Sequence, residues 1–180
     1  AQRIVCDVWA EMEELGVAIM LMQSKARQLG VSTGTELAIS HRVLFYKLVN
    51  SLIAAATPDT TRKMAEMTMR AVEYQPYWLV PSINYYKSGE TLLDIPELES
   101  AITLQHGAQY TGISRGDTPT VAHVSEVSSF NNPDEDIDSS LLRAMHEDPM
   151  TFLVLESTAM ELGDWWNLKW DYYVQAWPKR

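Results

Sequence analysis

Apolar positions recur along the chain with two alternating periods. In residues 2–15 (QRIVCDVWAEMEEL), Ile4, Val5, Val8, Trp9 and Met12 fall at helical spacing, which predicts a helix. Gly16 stands where a glycine C-cap ends one. Val17 to Met22 (VAIMLM) is an unbroken apolar run of strand length, the pattern of a strand covered on both faces in a parallel sheet. Residues 31–48 return to helical spacing, with Leu37, Ile39, Val43, Leu44 and Leu48 inside. Ser51 to Ala56 reads as another buried strand. Asp59 to Tyr74 reads as a helix whose start is marked by Thr57-Pro58-Asp59. The aromatic stretch PYWLVPSINYYKSGE is irregular, and residues 101–114 read as two short strands turning at Gly107. Thr118 to Ser125 is a further short strand. The acidic residues 131–138 (NNPDEDID) read as a loop capping a helix from Ser139 to His146. Thr151 to Leu155 is a strand, and Trp165 to Val174 a helix. Strands separated by helices predict one α/β domain over residues 1–180 with a central, mainly parallel sheet.

The composition supports a packed core: 46% of the 180 residues are hydrophobic and 21% charged. The net charge is −10, and it is lopsided. Residues 1–90 carry 9 Lys/Arg against 9 Asp/Glu, whereas residues 91–180 carry 5 against 15. A freestanding, nonspecific nucleic-acid binder is therefore disfavoured, because phosphate contacts need clustered cations. A domain that meets DNA through one local face stays compatible. The single cysteine, Cys6, excludes an internal disulfide framework and fits a reducing cytosol, with helix packing as its expected role. No apolar run reaches the roughly 18–20 residues of a membrane span. The chain opens on Ala1, directly in a helix, so a fragment lacking the extreme N-terminus is expected.

The chemistry concentrates at the junction of the first strand and second helix, Ser24-Lys25-Ala26-Arg27-Gln28-Leu29-Gly30-Val31-Ser32-Thr33. A phosphate-binding loop needs a tight turn of bare backbone amides, a helix N-terminus, a cation and a hydroxyl for Mg²⁺. Against the pattern GxxxxGK[ST], Gly30 and Ser32 match the second glycine and the hydroxyl. Lys25 replaces the first glycine, and Val31 replaces the lysine. By pattern alone the segment also reads as an ordinary strand-to-helix turn with two surface cations.

Four segments together carry a resemblance. KARQLGVST (Lys25 to Thr33) resembles the deviant phosphate loop of tailed-phage terminase large subunits, the motors that package viral DNA. SRGDT (Ser114 to Thr118) is similar to the arginine-bearing stretch before that family's Walker B strand. HVSEV (His123 to Val127) is similar to the Walker B segment itself. LESTA (Leu155 to Ala159), followed by LGDWW, resembles its coupling segment. The four occur in the family's order and span nearly the whole chain.

The resemblance implies a P-loop NTPase three-layer sandwich that hydrolyses ATP with Mg²⁺ to translocate double-stranded DNA. Residues Lys25, Ala26, Arg27, Gln28, Leu29, Gly30, Val31, Ser32 and Thr33 would form the phosphate cradle, with Lys25 and Arg27 as cations. Ser32 would ligate Mg²⁺, and Thr33 has the alternative of a helix first-turn residue with no ligand role. Glu126 would orient and deprotonate the attacking water and help hold the metal, or else is a strand-end acid on the surface. Ser125 stands where the family has Asp, so it could reach the metal only indirectly. Arg115 would reach a neighbour's γ-phosphate, or else pair with Asp117. Ser157 and Thr158 would sense the γ-phosphate or cap the next element. Gln2 would read adenine. The implied partners are DNA, the portal protein, the small terminase subunit and further copies in a ring, with a monomer as the alternative in isolation. The implied setting is the cytoplasm of an infected bacterium, at the procapsid portal. A C-terminal nuclease domain is expected to lie outside these residues. Two rival readings are a weakly catalytic nucleotide-binding assembly module and another nucleic-acid ATPase such as a helicase.

Other residues read as structure. His123 is a packed strand histidine, and Met64, Met67 and Met69 are packing residues. Trp165, Trp166 and Trp170, with Tyr172 and Tyr173, form a stripe better suited to packing than to base stacking. Asp134 to Asp138 lacks the glycine and terminal glutamate of a calcium loop, so a solvated loop is expected.

Overall fold

The computed structural model describes residues 2–26, 29–86, 89–107, 113–114, 118–158 and 163–176. In chain order the elements are α1 (Gln2–Glu14), β1 (Ile19–Ser24), α2 (Val31–Phe45), β2 (Asn50–Ala55), α3 (Pro58–Glu73), β3 (Asn84–Tyr85), β4 (Thr91–Ile95), β5 (Ser100–His106), β6 (Val121–Ser125), a 3₁₀ turn (Val127–Ser129), a π-helical segment (Asp134–Leu141) running into a short α4 (Leu142–Ala144), β7 (Phe152–Ser157) and α5 (Trp165–Ala176). The strands form one sheet in the order β1-β7-β6-β2-β5-β4-β3. The first five of these are parallel, and β4 and β3 join antiparallel at the far side.

Alternation along the strands separates two cores, one on each face. In β2, Ile53 and Ala55 pack on one side with Trp9 of α1, Ile39 and Val43 of α2, and Met64 and Val72 of α3. Leu52 and Ala54 pack on the other with Ile137, Leu141 and Trp166. These are the three layers of an α/β sandwich. Each β1–α2–β2 or β2–α3 passage must climb over the sheet, and α2 thereby lies across β6 as well as β2 and β5.

Several expectations are revised. The run Val17–Met22 becomes β1 at an edge of the described sheet, paired only with β7 and mostly half-buried, because β7 and not β2 takes its inner side. Strand Thr118–Ser125 is confined to Val121–Ser125, where pairing with β2 and β7 begins. Within residues 101–114, one strand, β5, extends through His106 with its N-terminal start at Ser100. The second strand expected after Gly107 falls largely outside the described residues. The acidic run is helical, not a loop: Asp134, Glu135 and Asp136 form a helix's first turn, where the amide dipoles favour negative charge. Cys6 is exposed and does not pack. The tryptophans do pack: Trp166 is buried in the second core, with Trp165 and Trp170 against it. α3 starts as expected, with the Thr57 hydroxyl accepting from Thr60 N–H at 3.3 Å and Pro58 at the first helical position.

Candidate functional site

Parallel pairing aligns the C-terminal ends of β1, β7 and β6 side by side. Register places Gln23 and Ser125 on either side of Glu156, and Ser24 opposite Ser157. The ladder continues one step beyond β1, where Lys25 N–H donates to Ser157 O at 3.0 Å. The chain then turns back, and Gly30 caps α2 in the left-handed region with φ of 71°. The α2 N-terminus is thus brought over the ends of β7 and β6.

Four side chains meet there on one oxygen. Glu156 Oε1 accepts from Ser32 Oγ at 2.7 Å and from Ser125 Oγ at 2.7 Å, and it lies 2.6 Å from Lys25 Nζ. Lys25 Nζ also donates to Ser32 Oγ at 2.6 Å. His123 Nε2 is 3.3 Å away on the buried side. Behind it, His123 Nδ1 lies 2.6 Å from Glu36 Oε1, and Glu36 Oε2 accepts from Thr68 Oγ1 at 2.6 Å. A line of charges, Lys25–Glu156–His123–Glu36, therefore runs from the loop through the sheet into the α2–α3 layer. Glu156 and His123 are fully buried and Glu36 is 1% exposed.

The electrostatics follow from this alternation. Burial alone would lower the His123 pKa, but its hydrogen bonds and charge interactions with Glu156 and Glu36 outweigh burial and push it up to about 9. Burial alone would raise the Glu156 pKa. The His123 imidazolium and then Lys25 instead hold it well below the usual carboxylate range. The sheet thus encloses an alternation of acid, imidazole and acid side chains, Glu156, His123 and Glu36, with Lys25 at its outer end.

Of the other predicted site residues, Glu126 directly follows β6, exposed, with φ of 58°, and its Oε2 accepts from Thr60 Oγ1 of α3 at 3.2 Å. Left-handed backbone at a glutamate is uncommon and costs energy, and such residues cluster at functional positions. Val31 is buried, so the position of the ordinary loop lysine points inward here. Thr33 Oγ1 turns to Met67 Sδ at 3.7 Å. Ser157 Oγ accepts from Ser128 N–H at 3.0 Å and lies 2.8 Å from Ser128 Oγ, tying β7 to the turn after Glu126. Gln2 Nε2 donates to Gly30 O at 3.1 Å, which brings the expected adenine-reading residue against the loop. Leu29 is exposed, and Ala26 follows Lys25 out of the sheet. Arg27, Gln28 and Arg115 lie outside the described residues. A cleft of about 840 Å³ between α3 and β4–β5 is lined by none of these residues.

Sequence reasoning passed over Glu156 and Glu36. The available signal was a carboxylate within an apolar strand (FLVLES) and another on the buried face of α2, together with a histidine in VAHV. Buried charges are retained only when paired, so three ionisable groups in apolar contexts already imply one another.

Gly30 bears a testable load. A Cβ there would sit 2.1 Å from Gln2 Nε2, and its φ disfavours any L side chain. Gln2 can swing aside, so the backbone decides the cost, about 1–2 kcal/mol. Gly34 lies within α2 with open space around a Cβ, and Gly34→Ala should stabilise by roughly 0.5–1 kcal/mol. Urea unfolding of Gly30→Ala and Gly34→Ala should move in opposite directions; equal shifts would mean that the loop has no need of a left-handed turn.

A mainly parallel sheet with the β1-to-α2 turn over its strand ends defines a P-loop-type α/β fold. Solved structures carry the same fold. The HK97 bacteriophage large terminase matches with a TM-score of 0.71 and 20% identity, over 88% of this chain and 33% of that one. A large terminase from a thermophilic bacteriophage matches at 0.65 and 10% identity, over 91% and 39%. The Thermus phage P74-26 large terminase ATPase domain matches at 0.57 and 14% identity, over 83% and 62%. The chain thus spans about a third of the HK97 protein. No family model and no curated protein matches the sequence. The resemblance read from the sequence is met in the fold, which is that of phage large terminases.

Proposed function

We propose that this chain is the ATP-hydrolysing motor domain of a phage large terminase, coupling MgATP hydrolysis to movement of double-stranded viral DNA into a capsid. One observation carries the reading. Lys25 and Ser32 of the β1–α2 turn converge with Ser125 of β6 on the C-terminal edge of three adjacent parallel strands, where open α/β sheets take their ligands. The likeness to solved large terminases supports the same reading.

In this reading the amides at the start of α2 bind the phosphates, helped by the positive end of the helix. Lys25 exchanges its contact with Glu156 for phosphate oxygens. Ser32 and Ser125, with Glu126, supply the oxygens that hold Mg²⁺; they are hard donors of the kind it takes. Mg²⁺ held there would supply charge neutralisation on the nucleotide's phosphates. Glu126 accepts the proton of the water that attacks the γ-phosphate, and Thr60 fixes its carboxylate. ADP and phosphate are the products. DNA, the portal protein, the small terminase subunit and a ring of copies, with Arg115 reaching between them, complete the proposal. Its setting is the cytoplasm of an infected bacterium, and the nuclease chemistry is assigned elsewhere.

Calorimetry with ADP tests the loop. Micromolar-range binding is expected, weakened about tenfold or more in Lys25→Ala, the loss of a charged hydrogen bond to phosphate. Binding unchanged by the substitution would remove Lys25 from the site. A second reading, a nucleotide-dependent assembly switch with negligible turnover, draws on the hydroxyl at Ser125 where an acid is expected.

A further inference from the structure

We propose that Glu156, on β7, is the carboxylate that anchors the divalent cation, in the place of the acid that Ser125 lacks at the end of β6. The inference rests on the nucleotide-site reading above and assigns the metal within it.

Register supplies the first argument. Ser125 and Glu156 are paired neighbours across β6 and β7, so an acid on β7 reaches the space an acid on β6 would. The contacts supply the second. Glu156 Oε1 gathers both available hydroxyls, Ser32 Oγ and Ser125 Oγ, each at 2.7 Å. The third is an orphan. Glu156 is fully buried, and among the described residues its Oε2 has no hydrogen-bond partner. A buried carboxylate oxygen left unsatisfied is costly, and a bound cation would satisfy it. The fourth is a stand-in. The Lys25 ammonium rests 2.6 Å from both Ser32 Oγ and Glu156 Oε1, so a cation already sits against the hydrogen-bonded hydroxyl and carboxylate.

The donor set suits Mg²⁺ or Mn²⁺. Mg²⁺ binds through one or two carboxylates plus substrate phosphates and keeps several waters, so one carboxylate and two hydroxyls suffice. The arrangement also gives Lys25 a second role. Ammonium and metal compete for the same carboxylate, so a metal entering with nucleotide would displace Lys25 from Glu156 toward the phosphates. His123 and Glu36 act behind Glu156 as positioning residues.

The test uses Mn²⁺ as the probe, with ADP affinity measured by calorimetry with and without Mn²⁺ and bound Mn²⁺ counted by electron paramagnetic resonance. Wild type should gain about tenfold or more in ADP affinity with Mn²⁺ and bind one Mn²⁺ per nucleotide. Glu156→Gln should lose the gain and the bound Mn²⁺. The double variant Ser125→Asp with Glu156→Gln, which moves the carboxylate one strand over, should recover both. Should Glu156→Gln fail to fold, the double variant decides alone: recovery supports the assignment and no recovery overturns it. A gain that survives in folded Glu156→Gln overturns the assignment, as does ADP binding by wild type that Mn²⁺ does not strengthen. Absence of any ADP binding by wild type overturns the nucleotide-site reading and the assignment with it.

Discussion

Glu126→Gln should hydrolyse MgATP about 10²–10⁴-fold more slowly than wild type, the usual contribution of a positioned general base. ADP affinity measured without Mg²⁺ should be unchanged, because the contact of Glu126 is with Thr60 and not with the β1–α2 loop. Glutamine keeps the size and the hydrogen bond from Thr60 but cannot take a proton at neutral pH. The left-handed backbone at position 126 is the same in both proteins, so stability should move little. Steady-state phosphate release separates two readings. A collapse of turnover with intact binding belongs to a motor. Equal, trace turnover in both proteins belongs to a nucleotide switch.

His123→Ala should destabilise the protein by about 3–5 kcal/mol, the range seen when one partner of a buried ion pair is removed. Two buried carboxylates, Glu36 and Glu156, would be left facing each other without the imidazolium between them. Chemical denaturation at pH 7 reads the loss, and a drop under about 1 kcal/mol would mean that the buried line is not held by charge. The pH dependence carries the same signature. In wild type the His123 pKa is raised from 6.5 to about 9, so its contribution to stability is complete below pH 6.5 and is lost as pH rises through 9. The Glu156 pKa is lowered from 4.5, so its contribution is complete above pH 4.5 and is lost as the pH falls further. Wild type should be most stable between these limits. The alkaline decline should flatten in His123→Ala.

Much of the frame was legible because it rests on local signals. Thr57-Pro58-Asp59 marks the start of α3 through capping chemistry, and Gly30 marks the turn through its φ. The helical spacing of Ile39 and Val43 marks the buried face of α2. The antiparallel pair β3–β4 was not legible. Asn84–Tyr85 is two residues long and exposed, and it is a strand only because Asp94 and Leu93 lie opposite. The edge position of β1 was hidden for the same kind of reason, since the order of strands is a long-range fact. The candidate site divided along this line. Lys25, Ser32 and Glu126 follow strand ends and stand out in the sequence. Glu156 comes 124 residues after Ser32, and their contact exists only because β7 inserts between β1 and β6.

The hydrogen bonds around Ser157 have a mechanical meaning. Its carbonyl holds Lys25 N–H at the root of the loop, and its hydroxyl holds Ser128 N–H in the turn behind Glu126. One buried serine thus yokes the lysine-bearing loop and the glutamate-bearing turn to the tip of a single strand. A pull on that tip loads both at once, so neither can relax alone. The tip of β7 is thus a shared anchor for the loop and the turn.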